Sequence, residues 1–312
     1  MLPFKLVYHD KYDLNLGEHV FPSQKYRLIY EKLLADGIAS REDFVRPNMA
    51  SDDDILRVHT ADWVGKLKTG TLSLSEKMKL EVPYSKKLVE AFWVAAGGTI
   101  AAAQTAMRHG FGCNIGGGFH HAYPGHGEGF CAIHDVAVSI RRLQHDGAIQ
   151  KAMVVDTDVH QGNGTAAIFA KDESVFTLSI HQENNYPAHK PPSTIDLDLE
   201  DGVGDEEYLA TLLPAVRRGL EKFQPDALFY VGGADPYRED QLGGLALTME
   251  GLKRRDGSVF QEARRRNVPV VTTFAGGYAR RVQDTVQIHV NTVLAAKDAA
   301  AQFPGGVTVG HQ

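Results

Sequence analysis

The chain has 312 residues, a length typical of one large α/β domain or of two smaller domains. Apolar residues make up 43% and charged residues 23% of it, which excludes a fibrous or intrinsically disordered protein. The formal net charge of −6 excludes the strongly basic character of proteins that bind nucleic acid or anionic membranes directly.

The N-terminal segment MLPFKLVYHDKYD lacks the basic stretch and apolar run of a secretory signal. The longest mostly apolar segment, Leu88–Met107, contains Glu90 and Gln104, so it is not the uninterrupted run of about 20 apolar residues that a membrane span needs. The chain's 2 cysteines cannot form a disulfide framework. We therefore predict a cytoplasmic protein without a membrane span.

Short apolar runs alternate with longer helical patterns, which predicts an α/β fold with a parallel sheet and helices on both faces. The predicted strands are Phe4–His9, Ala152–Asp156, Val175–Ile180, Ala227–Val231 and Val268–Phe274. The predicted helices are Ser23–Asp36, Leu88–Arg108, Asp205–Phe223 and Ala279–Ala300. Because no linker, repeat or composition shift interrupts the pattern, we predict a single domain over residues 1–312, with a poorly ordered tail from about residue 303.

Local signals refine two of these helices. Ser23 is a candidate N-cap of the first helix, and Gly37 lies just past its end. Asp205 is a candidate cap of the helix that runs to Phe223, and Pro214 is expected to kink that helix or split it in two.

Three polar segments follow directly from predicted strands. They are DTDVHQGNG after Ala152–Val155, GGADPYRED after Ala227–Val231, and AGGYARR after Val270–Phe274. Ligands of open α/β sheets bind outside the carboxyl ends of the strands. We therefore expect these three segments to converge on one site.

Asp156, Asp158 and His160 alternate along an extended segment, so their side chains can point to the same side. Carboxylate and imidazole groups suit a divalent metal such as Zn²⁺, and Asp235 would be a third ligand. Three protein ligands with open positions are typical of a catalytic metal site. The alternatives are polar residues that cap a helix or face water and, for Asp235, an ordinary turn before Pro236.

His120 and His121 lie in a glycine-rich segment, NIGGGFHHAYPGHGEGFC. Histidine has the unperturbed pKa of a general base or acid for a hydrolytic reaction, while surface polarity and a second structural metal are the alternatives. Tyr278 follows two glycines at the end of a predicted strand, where its phenol could donate a hydrogen bond to an oxyanion or simply pack.

Together, the segments GGGFHHA, GEGFC, DTDVHQGNGT, GADPYREDQLGG and AGGYARR resemble the motifs of zinc-dependent histone deacetylases, in order and spacing, over roughly residues 5–297. This family shares its fold with arginase. The chain resembles the class IV branch and its bacterial relatives most, in its HQGNG motif, its short loop before Tyr186 and its compact length. The resemblance implies an open arginase/deacetylase-like parallel sheet with its active site at the carboxyl ends of the strands.

The resemblance also implies a role for each matching residue. The implied ligands of one catalytic Zn²⁺, a position that Fe²⁺ or Co²⁺ could also occupy, are Asp158, His160 and Asp235. Among the implied catalytic residues, His121 is the general base and later the acid, His120 is its electrostatic partner oriented by Asp156, and Tyr278 polarises the carbonyl. The implied walls of an acyl-lysine channel are Gly129, Phe130 and Tyr186. The implied residues of a structural K⁺ site are Asp156, Asp158 and His160, with Ser179 and Ile180 contributing through their backbone.

Two positions refine this comparison. Asn163 stands where class I members have Asp, so it can accept a hydrogen bond from His121 without adding charge, and this base should hold a proton less strongly. Asp235 is followed by Pro236 and Tyr237, so the further carboxylates of an arginase-type dinuclear site are missing. We therefore expect one metal rather than a ureohydrolase centre.

The resulting prediction is a zinc-dependent amidohydrolase that removes acetyl or longer fatty acyl groups from lysine side chains of proteins or peptides, through a water that the metal activates. The first alternative is the same chemistry on a small acylated amine such as an acetylpolyamine. The second is a non-catalytic scaffold on this fold. We expect no direct binding of nucleic acid, and the sequence does not predict an oligomeric state.

Overall fold

The computed structural model describes residues 1–14 and 16–303, so the predicted tail lies almost wholly outside the described residues. The described residues form one sheet of eight strands, in the order β2-β1-β3-β8-β7-β4-β5-β6, and all neighbouring strands are parallel. The strands are β1 (Lys5–Val7), β2 (Phe44–Val45), β3 (Phe111–Asn114), β4 (Ala152–Asp156), β5 (Val175–Gln182), β6 (Ile195–Leu199), β7 (Ala227–Gly232) and β8 (Val270–Phe274).

Helices connect the strands and cover both faces of the sheet, as a parallel sheet requires. They are α1 (Lys25–Ala35), α2 (Asp52–Leu56), α3 (Ala61–Thr69), α4 (Leu74–Leu80), α5 (Lys86–His109), α6 (Asp135–His145), α7 (Asn163–Phe169), α8 (Asp205–Phe223), α9 (Met249–Arg265) and α10 (Val282–Gln302). In the described part of the chain, none of these helices is long and apolar enough to cross a membrane.

The core lies on both faces of the sheet because successive strand side chains point to opposite sides. On β4, Met153 and Val155 belong to one buried apolar cluster, whereas Ala152 and Val154 belong to the other. Helices α8, α9 and α10 contribute to the first cluster, and α6 contributes mainly to the second. Burial on both faces explains why the central strands read as continuous apolar runs.

The five predicted strands are confirmed, with end differences of one or two residues. The prediction missed β2, β3 and β6. Strand β2 has only two residues, the β3 segment FGCN contains a glycine and no β-branched residue, and the β6 segment IDLDL carries two carboxylates at the sheet edge. The shortness of β2, the glycine of β3 and the carboxylates of β6 each depart from the continuous apolar runs of the other strands.

Three local expectations were wrong. The N-cap of α1 is Gln24, since Ser23 Oγ instead donates a hydrogen bond to Asp13. The N-cap of α8 is Gly204, because the Asp205 carboxylate accepts hydrogen bonds from the N–H and hydroxyl of Thr248, at 2.8 and 2.7 Å. The expected split of α8 at Pro214 was wrong, because the helix runs through this residue unbroken, while a kink there stays a prediction. Pro214 lies on the exposed side, where water can solvate the carbonyl that its missing N–H leaves free.

Candidate active site

The ends of the central strands bring Asp158, His160 and Asp235 together, as predicted. Each offers one ligand atom, and these atoms all lie within 4.8 Å of one another. His160 Nδ1 is 3.0 Å from Asp158 Oδ1 and 3.5 Å from Asp235 Oδ2. All three residues are buried. The two loops that carry them follow the neighbouring strands β4 and β7, so the sheet itself sets their spacing.

Each of the two carboxylates accepts a hydrogen bond from a backbone N–H of another loop residue. Asp158 Oδ2 accepts the N–H of Gly276 at 2.8 Å, and Asp235 Oδ1 accepts the N–H of Val159 at 2.9 Å. Among the described residues, no hydrogen-bond donor reaches the buried Oδ2 of Asp235. A Cβ atom at position 276 would lie 1.8 Å from that oxygen, so only glycine fits there. An oriented, buried carboxylate oxygen without a donor fits a divalent cation.

The charges of the Asp158–His160–Asp235 cluster also fit a divalent cation. Burial and the neighbouring charge of Asp158 raise the pKa of Asp235 to about 7. Burial alone would lower the pKa of His160, but its contacts with Asp158 and Asp235 outweigh burial and raise it to about 10. Without a metal, the two buried carboxylates share the single positive charge of protonated His160. A metal ion bound to the neutral imidazole would supply that positive charge instead.

The His120–His121 pair lies beside this cluster, with ring centroids 4.0 Å apart. His120 Nδ1 is 2.7 Å from Asp156 Oδ2, the partner that the sequence predicted. Burial alone would lower the pKa of His120, but the charges of Asp156 and Asp158 raise it to about 9. His120 is therefore the charged member of the pair at neutral pH.

His121 has the opposite electrostatic setting. Its Nδ1 atom is 2.7 Å from Oδ1 of Asn163, the first residue of α7. Burial, together with the neighbouring His120 and His160, lowers the pKa of His121 well below its usual value. His121 is therefore neutral at pH 7, and its Nε2 atom is the ring nitrogen that the Asn163 contact leaves available.

A cavity of about 210 Å³ leads to these residues, and its lining includes His121, His160 and Tyr278. The predicted wall residues Gly129, Phe130 and Tyr186 also line it. The Tyr186 ring lies perpendicular to the His121 ring, with centroids 4.9 Å apart. The structure thus places the reactive groups at a cavity with a largely aromatic lining.

Tyr278 reaches the cavity from the loop after β8. Its backbone N–H donates to Asp240 Oδ2 at 2.7 Å, and its ring centroid is 6.4 Å from that of His160. Burial, and then the charges of Asp158 and Asp235, raise the pKa of the phenol well above its usual value. The hydroxyl therefore stays protonated and can donate a hydrogen bond.

The residues of the predicted potassium site lie together at the β4–β5 boundary. Asp156 pairs with Ser179 in the sheet register, and Ile180 follows on β5. The Ser179 hydroxyl is 3.0 Å from His181 Nδ1. These residues are buried, as are Asp158 and His160. The potassium ion itself stays a prediction.

Sequence reasoning missed three residues that shape the site. Asp240 fixes the Tyr278 backbone and also accepts the N–H groups of Leu242 and Gly243. Gly276 clears the space over the two carboxylates. Glu128 accepts a hydrogen bond from Asn163. All three residues lie within the motif segments quoted above, and Glu128 stands out there as an acidic residue between two glycines in GEGFC.

Gly129 offers a test of the cavity wall. Its φ is +52°, and a Cβ atom there would lie 2.6 Å from His121 Cδ2 and 3.0 Å from Tyr186 Cε1. We expect G129A to lower kcat/KM by about 10²-fold, because a displacement of His121 by even 1 Å is costly. Metal content should be unchanged. The control is G125A in the same loop, where the nearest atom to the new Cβ is 4.0 Å away. Equal activity of G129A and G125A would contradict this wall.

Comparison with known proteins supplies the family. The model of the histone deacetylase domain matches residues 19–293. An uncharacterised protein of Picosynechococcus is 40% identical over 296 residues, covering 95% of this chain and 99% of that protein. Histone deacetylase 2 of Arabidopsis thaliana is 32% identical over 299 residues, covering 90% of this chain and 77% of that protein.

The fold agrees with this assignment. The crystal structure of a histone deacetylase homologue from Aquifex aeolicus superposes with a TM-score of 0.80 at 23% identity, covering 94% of this chain and 84% of that one. The predicted arginase/deacetylase-type fold is confirmed, and the scaffold alternative gives way to an enzyme of this family. The chain therefore belongs to the histone deacetylase family and is a hydrolase that acts on amides.

Proposed function

We propose that this deacetylase removes acyl groups from the ε-amine of lysine in proteins or peptides, with one zinc ion at Asp158, His160 and Asp235. The observation that carries the proposal is the cavity whose lining includes His121, His160 and Tyr278. A cavity of about 210 Å³ with aromatic rings in its lining suits a slender acylated side chain better than a bulky ligand. We also propose a class IV-like enzyme with a cytoplasmic location, in keeping with its two free cysteine thiols.

When bound, the ion supplies Lewis-acid polarisation of the carbonyl and lowers the pKa of the attacking water. His121, neutral and free at Nε2, takes the proton of that water and later gives it to the leaving amine. His120, charged and oriented by Asp156, stabilises the negative charge that develops. Tyr278 donates its hydroxyl proton in a hydrogen bond to the carbonyl oxygen as it becomes an oxyanion.

The proposal also includes the residues of the cavity wall and a structural potassium ion. Gly129, Phe130 and Tyr186 hold the aliphatic stem of the lysine and exclude water. Phe130 adopts φ +69°, a conformation that a bulky residue rarely takes without a constraint, and its ring packs against Phe21 and Tyr278. A structural potassium ion at Asp156, Asp158, His160, Ser179 and Ile180 would keep the β4 end rigid.

One observation favours a small acylated amine as the second candidate substrate. The Glu81 carboxylate lines the same cavity, and Glu128 lies close enough for its charge to raise the Glu81 pKa beyond the effect of burial. Two carboxylates near the passage would attract a cationic polyamine.

The proposal is tested with the zinc-loaded protein on ε-acyl-lysine peptides from acetyl to myristoyl, with an acetylated polyamine alongside. We expect turnover of at least one peptide, and the preferred chain length reports the depth of the pocket. Turnover of the polyamine alone would move the protein to the second candidate. Absence of turnover with metal bound would contradict both.

The same assay tests Tyr278. We expect Y278F to lower kcat by about 10²-fold or more, because the oxyanion loses a hydrogen-bond donor in a site shielded from water. Zinc content should match that of the wild type, since no ligand is touched. Y237F, which removes a phenol from the neighbouring loop, is the control. Full activity of Y278F would refute the assigned role.

A further inference from the structure

Glu128 lies just behind the cavity wall and takes part in none of the catalytic steps above. Its Oε1 atom accepts a hydrogen bond from Asn163 Nδ2 at 2.5 Å and from the Tyr186 hydroxyl at 3.1 Å. Its Oε2 atom is 3.1 Å from His126 Nε2. The Glu128 side chain is 17% exposed, so these contacts fill most of its surroundings.

The contacts of Asn163 connect Glu128 with His121. Asn163 turns its Nδ2 atom to Glu128 and its Oδ1 atom to His121 Nδ1, at 2.7 Å. The N–H of Gly164 also donates to Oδ1, at 3.0 Å. An ionised carboxylate can only accept hydrogen bonds, so the amide must offer it the NH₂ group and present its oxygen to the imidazole.

We propose that Glu128 is a positioning residue that fixes the Asn163 amide and, through it, the tautomer of His121. The amide oxygen accepts from Nδ1–H, so the proton of the neutral imidazole is on Nδ1 and the lone pair is on Nε2. That is the form that a general base facing the cavity requires. The inference rests on the proposed function, because it assigns His121 the role of base.

The surrounding charges agree with an acceptor-only Glu128. Burial alone would raise its pKa, but the hydrogen bonds from His126, Asn163 and Tyr186 outweigh burial and lower it. Glu128 is therefore ionised at neutral pH. The groups that act on His121 itself are His120, His160, Asp158 and Asn163.

The arrangement also explains how an uncharged Asn serves beside the base. The carboxylate lies one residue further from the imidazole, behind the amide. A carboxylate at position 163 would instead face Glu128 at the 2.5 Å distance that Nδ2 now occupies, and two carboxylates that close cannot both ionise without a donor between them. The identities of residues 128 and 163 are therefore coupled.

A double-mutant cycle tests this coupling through kcat/KM of the zinc-loaded protein on an acetyl-lysine peptide. We expect N163D to lower kcat/KM by roughly 10- to 100-fold, a usual effect of disturbing an outer partner of a site. E128Q should change the wild type only a few-fold. In the N163D background, E128Q should raise kcat/KM by about tenfold or more, because the glutamine amide can donate to the new carboxylate.

The control is E173Q, which removes a negative charge at an exposed position after α7. It should have the same effect in both backgrounds. In the rescued double variant the acid limb of the kcat/KM profile should move to higher pH, since the carboxylate now contacts His121 directly. Purely additive effects of E128Q and N163D, in proteins with wild-type metal content and thermal stability, would overturn the proposal.

A second measurement separates this inference from the proposed function. The ¹⁵N chemical shifts of the His121 ring, assigned with an H121Q sample, report its tautomer without any substrate. We expect Nδ1–H in the zinc-loaded wild type and a mixed population in E128A. An Nε2–H tautomer in the wild type would refute the role of Glu128 even in an active enzyme. An inactive enzyme with the expected tautomer would refute only the proposed function.

Discussion

The H121Q variant is expected to lose about 10²- to 10⁴-fold in kcat, the usual contribution of a positioned general base. Glutamine preserves the size of the side chain but cannot take a proton. The metal content should be unchanged, because His121 is outside the Asp158–His160–Asp235 cluster. Steady-state kinetics of zinc-loaded protein on an acetyl-lysine peptide measure the effect.

The pH profile sharpens this prediction. A base must be deprotonated to act, so kcat/KM falls as the pH drops through its pKa. Burial and the neighbouring His120 and His160 lower the pKa of His121, which places this fall below pH 6.5 in the wild type. H121Q should lack that limb. H145Q, at an exposed position in the last turn of α6, is the control and should behave as wild type. A turnover of H121Q within threefold of wild type would show that another group is the base.

The D235N variant is expected to lose its metal and, as a result, its activity. The activity should fall by more than the roughly 10- to 100-fold that is usual when a residue behind a metal ligand is changed. Asp235 supplies one of the three ligand atoms that the described residues bring together, and an amide is a poorer ligand for a divalent cation than a carboxylate. Metal analysis after dialysis and the peptide assay measure the two losses. D298N, at an exposed position on α10, should keep both metal and activity.

Stability distinguishes loss of the metal from loss of the fold. The raised pKa of Asp235, about 7, means that ionising this carboxyl in the metal-free protein costs free energy above that pH. Metal-free D235N should therefore unfold at a Tm equal to or above that of metal-free wild type at pH 8. Added zinc should raise the Tm of the wild type but not of the variant. A zinc-dependent rise of similar size in D235N would contradict the ligand assignment.

Much of the site was predictable because its chemistry is local in sequence. Asp158 and His160 follow β4, Asp235 follows β7 and Tyr278 follows β8 within a few residues. Each polar loop thus directly follows an apolar strand that is recognisable in the sequence, and the parallel sheet brings the three loops to one edge. The partner of His120 was also predictable, since Asp156 ends the strand that leads to the ligands.

The remaining contacts depend on pairings that composition does not reveal. Strand β3 carries the loop to His120 and His121 and pairs with β8, yet its FGCN segment resembles no ordinary strand. Lys25 on α1 reads as a solvated side chain, but it is fully buried and its Nζ donates to the Ala275 carbonyl beside the Tyr278 loop. Glu128 meets Asn163 only because the loop before Phe130 folds over the start of α7. Such long-range contacts follow from packing of the whole chain rather than from any local pattern.

The most direct test of the account is a zinc titration of the metal-free wild type, with acetate release from an acetyl-lysine peptide as the signal. We predict no turnover without metal and a linear rise that ends at one zinc ion per chain, because one Asp–His–Asp cluster supplies the ligands. Turnover by protein shown to be free of metal, or a rise that ends at two ions per chain, would contradict a single-metal deacylase.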